Sequence, residues 1–162
     1  MNALRPIVSL LALLAATAAT AVLAADDYSA APASPAKKTE APADPLASAR
    51  ALIQQERWRD AIIELKRVNQ TQSADWNNLM GYSHRKAKTP DYAAAQQYYD
   101  VALRIDPQHR GALEYSGELA LMKNELPAAQ SKLASLDKVC GKSCPEFVQL
   151  KTAIASYESK HS

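Results

Sequence analysis

The chain has 162 residues, with 19 basic and 17 acidic side chains and a formal charge of +2 when histidine is neutral. That near balance gives no basic footprint for nucleic acid, so no nucleic-acid partner is expected. In RWRDAIIELKR, residues 57–67, the charges alternate in sign as they do on a solvated helix face. The four glycines stand at 81, 111, 117 and 141, none of them in a phosphate-binding loop. There is no HExxH motif and no serine in a nucleophile-elbow context, so enzyme chemistry is not expected and no cofactor is implied.

Residues 1–25 have the build of an export signal. Arg5 supplies a positive start, residues 7–14 an apolar stretch, and Val22-Leu23-Ala24 before Ala25 a small-residue cleavage site. The apolar run just reaches the ~20 residues that span a bilayer, so an uncleaved anchor is the alternative. The alanine-rich site favours cleavage and no membrane contact afterwards. No cysteine near the site suits a lipid anchor. A leader of this bacterial type places the mature chain in the periplasm or outside the cell. Residues 26–44 are alanine, proline, serine and a few charges, which cannot build a core. They read as a disordered linker, either a tether or an N-terminus under little constraint.

From residue 45 the pattern turns helical. Leu46, Ala49, Leu52 and Ile53 form one stripe over residues 46–55, and Ala61, Ile62, Leu65 and Val68 another over 58–69. Ser73 or Thr71 can cap the helix predicted over 74–86. Tyr92, Ala95, Tyr98, Tyr99, Ala102 and Leu103 share a face of the next, which Asp106-Pro107 ends because a residue before proline leaves the α region. Residues 110–123 and 126–137 form a third helical pair joined at Asn124.

Ala61, Ala95 and Ala129 recur at intervals of 34 residues, each followed by apolar positions: Leu65 and Val68, Tyr99 and Ala102, Leu133 and Leu136. A helical hairpin used three times at this period resembles the tetratricopeptide repeat family. In the middle unit Trp76, Leu79, Met80, Gly81 and Tyr82 resemble the family's first helix, with Gly81 the small contact residue. Tyr92, Ala95, Tyr99, Ala102 and Pro107 resemble its second. Leu113, Gly117, Leu126, Ala129, Leu133 and Leu136 fill these roles in the third unit, and Ala49, Leu52, Trp58, Ala61, Leu65 and Val68 in the first. The sequence departs from the pattern at His84, where the family often has an apolar group. Gly81 to Ala95 is also two residues longer than Gly117 to Ala129, and only the middle unit has its proline. The resemblance covers residues 45–139 and implies an all-α solenoid of about three hairpins.

It also implies a concave groove that holds a segment of a partner protein. By register the groove residues are Arg50, Gln54, Asn78, Tyr82, Arg85, Lys86, Glu114 and Glu118. Asn78, Tyr82 and Arg85 fall on one helical stripe. Glu114 and Glu118 are read as a solvated pair, and the tyrosines at 92, 98, 99 and 115 as packing residues. The expected role is a protein-interaction adaptor in the cell envelope, with self-association through the same surface as a further reading.

Cys140 and Cys144 are the only cysteines. In an oxidising compartment they are expected to pair across a loop over 140–144, worth ~2 kcal/mol by chain entropy. A redox or copper-handling role for this pair is the competing function. The string CxxxCP resembles the copper-binding segment of cytochrome oxidase assembly chaperones, yet no strand pattern supports their sheet and the three histidines are scattered. No metal site is therefore expected. Residues 145–160 read as a capping helix, with Phe147, Leu150, Ile154 and Tyr157 facing the repeats and Glu146 facing water.

Overall fold

The computed structural model describes residues 44–162. The expected leader and all of the expected linker except Asp44 lie outside them. Seven helices follow in order: α1 (Ala47–Gln54), α2 (Trp58–Val68), α3 (Ala74–Lys86), α4 (Tyr92–Ile105), α5 (Arg110–Met122), α6 (Leu126–Cys140) and α7 (Pro145–Lys160). No strand is present among the described residues, and no helix there is long and apolar enough to cross a membrane.

Local chemistry sets the helix ends. Ser73 Oγ accepts from Trp76 N at 3.2 Å, Asp91 Oδ1 from Ala94 N at 2.9 Å and His109 Nδ1 from Ala112 N at 3.0 Å, each satisfying a donor that a helix start leaves free. Asn69 closes α2 in the left-handed region (φ 53°), and Asp106, before Pro107, closes α4 in an extended conformation. Asp44 belongs to the folded domain rather than to the linker: its carboxylate accepts from Leu46 N at 2.9 Å.

The helices pair into three hairpins, α1–α2, α3–α4 and α5–α6, and α7 packs on both helices of the last. Among the odd-numbered helices, each touches the next odd one, whereas no even-numbered helix touches another even one. A stack whose odd helices approach each other and whose even helices do not is curved, with α1, α3, α5 and α7 on its concave side. This is the tetratricopeptide-like solenoid with a C-terminal cap.

The periodic alanines make the stack close. Ala61, Ala95 and Ala129 are each fully buried. Gly81 and Gly117 go further, since a Cβ on Gly81 would stand 2.6 Å from Tyr99 Cε1 and one on Gly117 2.6 Å from Leu150 Cδ2. Around these contacts one apolar cluster gathers Leu46, Ala49, Leu65, Trp76, Leu79 and Met80, and Trp76 Nε1 donates to Leu65 O at 2.7 Å. A larger one joins α5, α6 and α7 through Leu113, Leu121, Leu136, Phe147, Leu150 and Ile154. Each fully buried Leu, Ile or Phe contributes ~1.5–3 kcal/mol, so α7 covers a face that would otherwise be apolar and wet.

Three further expectations are corrected. Tyr92 is 39% exposed, because it opens α4 before that helix reaches its partner. α6 runs three residues past the expected end, so Cys140 is its last residue rather than part of the loop. Glu146 turns inward, with a buried Oε2, instead of facing water. Cys140 and Cys144 are joined as a disulfide, with Cα atoms 5.9 Å apart. Cys144 precedes α7, and Pro145 takes its first turn.

Gly81→Ala should lower stability by ~1–3 kcal/mol in urea denaturation, because the fully buried Tyr99 ring has nowhere to retreat. Helix propensity alone would raise it by up to ~1 kcal/mol, so a stabilised variant would refute the contact.

Candidate protein-binding groove

On the concave side, near the C-terminal end of α3, one arginine lies against a pair of aromatic rings. The Arg85 guanidinium carbon lies 5.3 Å from the Tyr82 ring centroid and 5.4 Å from that of Tyr115, and the two rings are 4.5 Å apart. Arg85 Nη2 meets Glu118 Oε2 at 2.6 Å, and Arg85 Nε donates to Tyr99 Oη at 3.4 Å. The guanidinium is thus met by oxygen from Glu118 and Tyr99 and by the paired π-systems of Tyr82 and Tyr115, as a buried arginine requires. Trp58 completes the aromatic row, edge-on to Tyr82 at 5.7 Å.

Glu114 is buried beside this cluster. Burial, then the negative charges of Glu118 and Glu146, push its carboxyl up to about 8 against the opposing pull of Arg85. It is therefore mostly neutral at pH 7, and the cluster holds one positive and one negative charge. Burial, followed by Glu114, pushes the Tyr115 hydroxyl up to about 12.

Not every expected groove residue is presented as a contact. Asn78 and Arg85 are buried, 7% and 5% exposed, because α5 closes over them. Asn78 fits against Gly111, where a Cβ would stand 3.0 Å from its Nδ2. Glu114 and Glu118 are not a solvated pair: the first is buried and the second is spent on Arg85. Arg50 sits at the opposite end of α3, paired with Asp75 at 2.9 Å and Asp44 at 3.3 Å. Because His109 Nδ1 accepts from the backbone, its Nε2–H donates to Asp75, at 2.9 Å. Gln54 and Lys86 stand exposed, with the Lys86 ammonium 5.9 Å from the Trp58 ring. Tyr82 is half-buried.

Tyr115 and Trp58 belong to the site although the repeat pattern assigns them to packing. Tyr115 follows Glu114 and precedes Glu118 by three, which puts it on the inner helix beside the expected stripe. Tyr99 is fully buried, and Tyr98 lies between Trp76 and His84. Where α3, α5 and α7 end, Arg85, Lys86, Leu121, Met122, Tyr157 and Lys160 line an open cleft of about 530 Å³. Met122 is 47% exposed there.

No protein-family model and no curated protein sequence matches the chain. Solved structures do. The Yersinia enterocolitica type III secretion chaperone SycD, in complex with a peptide of the translocator YopD, superposes with a TM-score of 0.60 at 17% identity, covering 73% of this chain and 92% of that one. SycD as a type III secretion translocator chaperone gives 0.60 at 17% identity over 72% and 83%. An alternative dimer of SycD gives 0.58 at 19% identity over 72% and 87%. At these identities the likeness establishes the fold.

Stability should carry the signature of Glu114. Between its ordinary value of 4.5 and about 8 the folded chain keeps a proton that the unfolded chain has released. Stability present below the unfolded value is therefore lost as pH rises through this window, by at most ~1.4 kcal/mol per pH unit from this group. Urea midpoints measured across the window should fall less steeply in Glu114→Gln, and an unchanged slope would remove Glu114 as the source.

Proposed function

We propose that this chain is a non-enzymatic adaptor that binds a segment of another protein along its concave face, within the bacterial cell envelope. The observation that carries the reading is the Tyr82–Tyr115 pair on the inner helices, backed by the buried Arg85 and its ion pair with the half-buried Glu118. Tyrosines held in place lose little conformational freedom when a ligand covers them, and such rings are frequent anchors of protein interfaces. The Leu121–Met122 cleft extends the same face with adaptable apolar surface, and Lys86 and Lys160 give it a polar rim. The SycD complex with a translocator peptide supports a peptide or protein as the occupant. The leader-like residues 1–25 support export to the envelope.

Position is the test. A photo-crosslinking residue replacing Tyr82 should join the chain to its partner in envelope extracts, whereas one replacing Ile63, 58% exposed on the outer helix α2, should not. Tyr82→Ala should weaken binding of that partner at least ~10-fold. Crosslinks confined to position 63 would move the interface to the convex side. A chain that crosslinks only to itself, with a dimer in sedimentation that Tyr82→Ala dissolves, would make self-association the use of the groove.

A further inference from the structure

Where α6 ends and α7 begins, three ligand-bearing groups converge. One atom each from Cys140 (Sγ), Cys144 (Sγ) and Glu146 (a carboxylate oxygen) lie within 4.8 Å of one another. The carboxylate is already oriented, for Oε1 faces Arg110 Nε at 3.6 Å. Its Oε2 is buried and has no hydrogen-bond partner among the described residues. A shielded carboxylate oxygen without a donor has an unmet demand for positive charge. In the disulfide form the sulfurs cannot help to hold a cation there, because thiolates rather than bridged sulfurs bind cations.

We propose that reduction of the Cys140–Cys144 bridge by a dithiol creates a site for one Zn²⁺ ion, held by the two thiolates and Glu146. In the first step two electrons and two protons convert the bridge to two thiols, while the reductant's thiols become its own disulfide. In the second the cation displaces both thiol protons. Two sulfurs and one carboxylate oxygen leave a fourth position for water, completing tetrahedral coordination. Three residues between the cysteines is a zinc-ligand spacing. Gly141, at φ 74° and with open space where a Cβ would be, lets the intervening loop adjust. The start of α7 favours negative charge at Cys144 and Glu146. The hard carboxylate distinguishes the site from one for Cu(I), which takes soft sulfur ligands. The cation would then fasten the capping helix to α6 as the disulfide does, in the opposite redox state. The sequence, with Glu146 expected in water, offered only two of the three ligands.

Cobalt titration of the full chain, reduced with a phosphine and desalted without air, tests this. A sulfur-to-cobalt charge-transfer band should rise to one equivalent, disappear on adding Zn²⁺, and be absent from the oxidised chain. Zn²⁺ affinity, read by competition with a chromogenic chelator, should fall at least ~10-fold in Glu146→Gln and stay at the wild-type value in Glu158→Gln, on the same helix. Far-UV circular dichroism confirms that each variant is folded. No band in the reduced, folded chain would overturn the site. So would equal affinity in Glu146→Gln, or uptake of Cu(I) with no uptake of Zn²⁺.

Discussion

Each hairpin of this protein carries an apolar face that it cannot cover alone, and the fold depends on neighbouring helices coming close enough to cover it. Closeness is a matter of side-chain volume at a few points. Tyr99 lies on the backbone of Gly81 and Leu150 on that of Gly117, with Ala61, Ala95 and Ala129 fully enclosed between helices. Interiors packed to this density have no slack, so these small residues set the spacing of the whole stack. The second contact involves α7, which is why the capping helix is part of the core.

The same spacing creates the electrostatics of the groove. Once α5 lies on α3, the Arg85 charge is removed from water and must be met by protein groups. Glu118 supplies the countercharge and the Tyr82–Tyr115 pair an aromatic surface, while Glu114, the second carboxylate one turn away, is left to carry a proton. The cluster is thus neutral and rigid below, with tyrosine surface above. That division suits a recognition surface: the ionic part holds shape, and the aromatic part offers contact area.

At the far end of the stack the problem is attachment. α7 meets α6 across a loop too short to impose an angle by packing, and the Cys140–Cys144 link imposes one covalently. Glu146 enters this junction because α7 starts directly after Cys144, so its second residue points back toward the sulfurs.

The repeating alanines, the Ser73 cap and the proline stop were legible in the sequence, since each acts over a few residues or at a fixed period. Seven helices, their pairing and the fold class follow from those local rules. The cysteine pair was legible for the same reason. Burial of individual polar groups was not, because it depends on what a distant helix brings. Asn78, Arg85 and Glu114 carry the inner-helix register that marks groove residues, and only the approach of α5 to α3 turned them into floor rather than contact. Tyr115 carries the register of a packing residue, and only its meeting with Tyr82 made it part of the site. Periodicity determined which side of each helix faces its neighbours. How deep each side chain then lay, and which charge it met there, was decided by tertiary structure, because desolvation is set by every atom around a group and not by its place in the chain.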